Sequence, residues 1–240
     1  MGDPCEAKRR ILGCVAESIL LYAAAIWVSV LENNKYITVA SRVQRRVALR
    51  ICRGYRTISN EAARVLARII PIDLLVEERS RAIGMTAGEK KALRKETVQK
   101  WQNRWNASDK DVWLHKLLPD ITRWYERSCG EIGYYLTQTM TAHGSFQSYV
   151  RRIGKAEHDP CLYCSSEIDN AEHTIFRCPA WADIRNLSEI TVRAELRPEN
   201  IVQIMMEVDF KWKAVESMVE KILKRKEQDS RQRGPNTQQH

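Results

Sequence analysis

Proline and glycine are scarce in this chain, at seven and ten residues of 240. The helix formers Ala, Leu, Arg, Lys and Glu dominate instead, so a mainly α fold is expected. The seven cysteines are odd in number and unevenly spaced, which excludes a secreted disulfide framework and points to a reducing compartment. Long apolar runs are also missing. The stretch ILGCVAESILLYAAAIWVSVL (11–31) is interrupted by Glu17 and Ser18, leaving thirteen residues from Ile19 to Leu31, too few for a membrane span. Glu17 equally spoils a signal-peptide core behind Lys8, Arg9 and Arg10. MGDPCE lacks the Ser or Thr that acylation requires at its sixth position. No membrane partner is expected. No internal repeat occurs, and no convergent acid–base set marks an enzyme.

What remains is an ordinary soluble composition, 44% hydrophobic and 29% charged, with a formal net charge of +9. Residues 1–100 hold 19 Lys or Arg against 10 Asp or Glu, whereas residues 101–240 hold 20 of each. The positive excess lies wholly in the first part of the chain. It fits a localised polyanion contact there, or a solvated basic surface.

The run from Ala7 to about Leu31 reads as a helix apolar on nearly all sides, which needs neighbours to cover it. From about Thr38 to Gly54, Val43, Val47 and Ile51 repeat on one helical face. Arg42, Arg45, Arg46, Arg50 and Arg53 cluster on the other. Five guanidinium groups without an interleaved acid suit phosphate, which they match in bidentate fashion; a solvated face is the alternative. Ser59 or Asn60 caps a third helix through about Ile70, and Asp73 a fourth, with a break near Gly84 or Gly88. Trp101, Trp105, Trp113 and Trp124 read as packing residues. Short helices follow Pro119 and occupy 134–154, broken at His143 and Gly144. His143 reads as a structural histidine rather than a ligand. Further helices are expected from Ala180 to Leu187 and within 198–226, before a polar tail.

Between them lies CLYCSSEIDNAEHTIFRC (161–178), a C-x2-C-x8-H-x4-C pattern. Cys161 and Cys164 can turn two thiolates toward one centre, and His173 and Cys178 complete a tetrahedron. That is a structural Cys3His zinc set, with every coordination position filled by protein. His158, in the loop-like EHDP, is a poorer rival to His173. Disulfides would strand a cysteine and leave His173 without a role. Arg151, Arg152 and Lys155 precede the cluster, and Tyr163 and Arg177 lie within it. Knuckles of this kind bind single-stranded nucleic acid through such side chains. Trp181 reads as packing beneath the metal, and Phe176 and Tyr163 as either packing or base contact.

AEHTIFRCPAW (171–181), preceded by PCLYC, resembles the carboxy-terminal zinc knuckle of non-LTR retrotransposon reverse transcriptases, above all the arthropod clade that inserts into ribosomal RNA genes. SILLYAAAIW (18–27), VQRRVALRICRGYRTIS (43–59), IPIDLLVEER (70–79) and LTQTMTAHGSFQSYV (136–150) resemble, in order, the region after that family's polymerase core. No Asp-Asp pair occurs, so the family's metal-binding palm aspartates have no counterpart and no catalytic residue carries over. The resemblance implies a thumb-side and C-terminal piece of a Pol-like polyprotein. Its parts would be a basic thumb-like region (1–110), a helical connector (111–154), the CCHC zinc knuckle (155–187), a helical segment (188–226) and a disordered tail (227–240). It implies RNA or DNA and the remaining polymerase domain as partners. It further implies Mg2+ only in polymerase and endonuclease domains outside this sequence, and a nuclear location for the intact protein. A free-standing, element-derived adaptor is the alternative.

Overall fold

The computed structural model describes residues 5–22, 34–165 and 168–233. Among them the chain is helical, with no strand and one isolated antiparallel bridge between Pro160 and Ile168. Two compact units divide it. One is drawn from Met1–Val112 and Pro119–Arg127, the other from Trp113–Leu118 and Ser128–His240.

In the first unit, α1 (Glu6–Leu20) packs on α2 (Asn34–Cys52). Their contact is close because Gly13 has no side chain; a Cβ there would lie 2.8 Å from the Ile51 Cδ1. Arg9 Nε donates to the Ile51 carbonyl and Arg10 to that of Ala67, which pins the start of α1. Although the sequence implies a helix covered on all sides, Ile11, Leu12, Val15 and Ile19 are exposed. The later part of that apolar run, 23–33, lies outside the described residues.

Helix α3 (Asn60–Ala67) is the centre of this unit, with Ala62 through Ala67 all buried. Ser59 caps it, its hydroxyl accepting from Ala62 N at 3.0 Å. The helix stops before Ile70 because Arg68 turns left-handed, at φ 54°. The backbone groups freed by that break go to buried Gln44, which donates to Ile70 O and accepts from Ile72 N. Helix α4 (Ile72–Arg81) starts after Pro71 rather than at Asp73. The break near Gly84 is real, and Thr86 and Glu89 then form a capping box for α5 (Ala87–Asn106). Trp101 and Trp105 on α5 and Trp124 on α7 (Ile121–Glu126) are buried, with Trp124 Nε1 donating to Val65 O at 2.9 Å.

Between α5 and α7 runs α6 (Val112–Leu117). The second unit continues with α8 (Tyr134–Thr141), α9 (Gln147–Arg152), the cysteine-rich segment, α10 (Ala182–Val192), α11 (Ile201–Glu207) and α12 (Asp209–Arg233). Extended Val208 separates the last two. One face of α12, from Trp212 through Val215, Val219 and Ile222 to Lys226, is buried, and the helix packs against α8, α10 and α11. Helix α12 runs to Arg233, so the folded chain extends beyond residue 227, where the sequence suggests disorder. Buried Lys226 and the Asp229 carboxylate that accepts from Tyr163 give this polar stretch something to pack against. Residues 234–240 lie outside the described residues.

Candidate metal centre and basic surface

The Pro160–Ile168 bridge closes the first half of the cluster, and a turn with Ser165 N on Cys161 O directs Cys161 and Cys164 to one side. The second half is a π-turn, His173–Arg177. Asn170 starts it by accepting from His173 N, and Cys178 N closes it on His173 O at 2.7 Å. In an α-helix, residues five apart sit about 140° apart around the axis. The i→i+5 closure brings His173 and Cys178 back onto one side.

The four donor atoms, three thiol sulfurs and one imidazole nitrogen, all lie within 4.8 Å of one another. Cys161 Sγ and Cys178 Sγ are 3.8 Å apart, and Cys164 Sγ lies 3.3 Å from His173 Nε2. Tetrahedral zinc, with bonds of about 2.3 Å to sulfur and 2.0–2.1 Å to nitrogen, needs edges of about 3.8 and 3.6 Å. Cys161, His173 and Cys178 are buried and Cys164 is half-buried. Burial, and then the neighbouring Cys161 and Cys164 thiols, push the Cys178 thiol up to about 12. Thiolates in such a place need a cation, and the donor set can coordinate a structural Zn2+. Four protein ligands complete its tetrahedron. His158 is exposed and outside this group.

One element of the centre was not legible in sequence. Asp169, between Cys164 and His173, is 1% exposed and forms an ion pair with Lys226 of α12, itself 4% exposed. Lys226 Nζ lies 2.5 and 2.7 Å from its two carboxylate oxygens and 3.1 Å from Thr174 Oγ1. Asp169 also accepts from Thr174 Oγ1 and from the Gln147 backbone at the start of α9. The knuckle is therefore bolted to α9 and α12 through a buried charge pair. The only sequence signal was an acid inside the ligand spacing; its partner lies 57 residues away.

Around the centre the aromatic residues pack. The Tyr163 ring lies 4.6 Å from that of buried Trp181, and its hydroxyl donates to Asp229 Oδ2 at 2.8 Å. Phe176 meets Trp113 edge-on. His143 is buried, with Nδ1 on Thr141 O and Nε2 facing Arg152, an arrangement that occupies both ring nitrogens. Of the basic residues, Arg151 is paired with Asp159 and Arg177 with Glu172. Arg152 also lies over the Tyr149 ring. The Lys155 side chain is exposed, with no ion pair among the described residues.

The arginine stripe of the first unit divides into two kinds. Arg45 is consumed by the fold, donating to Asn60 Oδ1 and to the carbonyls of Arg56 and Ile58. Arg53 lies past the end of α2 in left-handed conformation, φ 56°. Arg42, Arg46 and Arg50 are exposed, and none has a hydrogen-bond or ion-pair partner among the described residues. They recur every four residues, about 6 Å of helix rise, along one line. Among the described residues no helix is long and apolar enough to cross a membrane.

No protein-family model matches the chain, and no solved structure matches it. Curated relatives do. The chain is 26% identical over 191 residues to the "Retrovirus-related Pol polyprotein from type-1 retrotransposable element R1" of Bradysia coprophila, covering 70% of this chain and 19% of the relative. It is 25% identical over 185 residues to the corresponding R1 4 polyprotein of Nasonia vitripennis, covering 69% and 46%. It is 24% identical over 210 residues to the "Putative 115 kDa protein in type-1 retrotransposable element R1DM" of Drosophila melanogaster, covering 78% and 20%. The chain thus spans between a fifth and about half of the length of these relatives.

Proposed function

We propose that this chain is the thumb-side and C-terminal portion of an R1-type retrotransposon Pol polyprotein, and that its task is to grip nucleic acid. The observation that carries this reading is the line of Arg42, Arg46 and Arg50, three exposed guanidinium groups without hydrogen-bond or ion-pair partners among the described residues. They lie in the half of the chain that holds all of its positive excess. Such groups hold phosphates in place without reading sequence. Arg45 serves the fold rather than the grip, and Arg53 lies past the end of α2.

The knuckle supplies a second grip on RNA or target DNA, through Lys155, Arg151, Arg152 and Arg177, with Tyr163 at its edge. Arg151 and Arg177 would exchange their carboxylate partners for phosphate. Bound zinc supplies local folding energy in place of a hydrophobic core. Cys161, Cys164, His173 and Cys178 hold it, and Asp169 with Lys226 fixes the loop that carries them. In this reading residues 1–110 are the thumb-like region, 111–154 the connector, 155–187 the knuckle and 188–226 a helical support. Polymerase and endonuclease chemistry, with its Mg2+, belongs to other parts of a nuclear polyprotein.

The test is the salt dependence of RNA and DNA binding by the zinc-loaded chain. Binding that weakens linearly in log–log form as salt rises supports the proposal. Absent or salt-independent binding overturns it.

A further inference from the structure

A second basic feature of the first unit has no place in the sequence-derived site. Helices α4 and α5 form an antiparallel pair, and at its turn end lies an open cleft of about 490 Å³. Arg79, Ala82 and Ile83 line one wall, and Lys90, Lys91 and Leu93 the other. Glu78 is the one carboxylate in the lining, and it is already neutralised. Arg94 holds it through three hydrogen bonds of 2.6–2.9 Å, while its remaining nitrogen donates to Tyr125 Oη.

Arg79, Lys90 and Lys91 are exposed, and none has an ion-pair partner among the described residues. From α1, Glu17 offers an opposing charge. Burial, the larger influence, raises the pKa of its carboxyl, while Arg94 and Arg79 act on it and lower it. Charge placement in α5 adds a second argument. Its capping box already satisfies the helix start with Glu89. Lys90 and Lys91 follow at once, near the positive end of the helix dipole, where cations are disfavoured. Most other cations of the two helices behave differently: Arg81 and Lys100 are tied to Glu77 and Glu96, and Arg104 to Asp73, while exposed Lys95 has no ion pair among the described residues. Arg79, Lys90 and Lys91, with no ion pair among the described residues, thus line one concavity where most neighbouring cations are paired.

We infer that the α4–α5 cleft is a phosphodiester-binding site, with Arg79, Lys90 and Lys91 holding consecutive backbone phosphates and exposed Ile83 lying against a sugar. This deepens the proposed nucleic-acid grip and rests on it. The cleft is a site distinct from the α2 arginines, and it reads phosphates rather than bases.

The experiment is fluorescence anisotropy of the full zinc-loaded chain with labelled single-stranded RNA and, separately, duplex DNA, titrated between about 50 and 200 mM salt. The variants are R79Q/K90Q/K91Q for the cleft and R42Q/R46Q/R50Q for α2. Each phosphate contact contributes about 0.7 (single strand) to 0.9 (duplex) to the salt slope. The cleft variant should therefore lose roughly 2–3 of slope and bind at least about tenfold more weakly at the low-salt end. The RNA and DNA arms show which backbone the cleft takes. Because all three side chains are exposed, the variants should melt as wild type. K90E/K91E, which keeps the helix formers and reverses charge, should weaken binding further. Wild-type slope in the cleft variant, with the α2 variant impaired, overturns this inference and leaves the proposed function standing. No salt-dependent binding by the wild type overturns both. Equal competition by poly-glutamate overturns the assignment to nucleic acid and makes the cleft an acidic-protein site.

Discussion

The ammonium of Lys226 sits 2.5 and 2.7 Å from the two carboxylate oxygens of Asp169, and the pair is almost wholly shielded from solvent. It joins the metal-binding loop to the last helix of the second unit. Removing one partner of a buried pair leaves the other charged and unpaired, at a cost of about 3–5 kcal/mol. Lys226→Met should lower stability by that order in denaturant titration and weaken apparent zinc affinity in parallel, since loop folding and zinc binding are linked. A combined Asp169→Asn, Lys226→Met variant should recover part of the loss. Wild-type stability and zinc affinity in Lys226→Met would show that the pair does not support the centre.

Zinc itself should be present at one per chain and fall away in Cys164→Ser. Three thiols must lose protons to bind it, so affinity should drop as pH falls, with chelator competition as the readout. Native mass spectrometry that finds the unaltered chain metal-free in zinc-containing buffer would contradict this.

Cysteine reactivity should separate by burial. Cys5 and Cys14 are exposed, while burial pushes the Cys52 thiol up to about 12. The nucleophile is the thiolate, so Cys52 should resist alkylation near neutral pH and react only as pH rises toward that value. Stripping zinc should add Cys161, Cys164 and Cys178 to the labelled set. Rapid native labelling of Cys52 would show that the packing of α2 against α3 is wrong.

Gly130 holds φ 78°, and a Cβ there would lie 2.0 Å from the buried Trp212 ring. Backbone strain and overpacking each cost about 1–3 kcal/mol. Gly130→Ala should therefore lower the denaturation midpoint clearly, whereas Gly88→Ala, with nothing within 4 Å, should not.

Much of this was legible before the fold was known. The ligand spacing at 161–178 specified the metal donors because four ligands close in sequence leave few ways to meet. The break before α5 was marked by Gly84, although the Thr86–Glu89 capping box that starts the helix emerged only from the structure. Periodicity placed the α2 arginines on one face, but could not show that Arg45 turns inward to serve the carbonyls of Arg56 and Ile58. Its partners belong to the loop after the helix, and helical spacing says nothing about them. Lys226 was invisible for the same reason: amid the alternating charges of α12 nothing distinguishes a buried lysine from an exposed one. Local pattern reveals local chemistry; long-range electrostatic pairs emerge only from packing.

The central claim concerns grip, and the line of α2 arginines tests it most directly. Binding of the zinc-loaded chain to RNA or DNA should be measured across a salt series with wild type, R42Q/R46Q/R50Q and Arg45→Gln. The account predicts that the triple variant loses about 2–3 from the slope of log affinity against log salt. Arg45→Gln should lower stability and leave that slope unchanged. An unaltered slope in the triple variant, or an affinity that ignores salt in all three proteins, would contradict it.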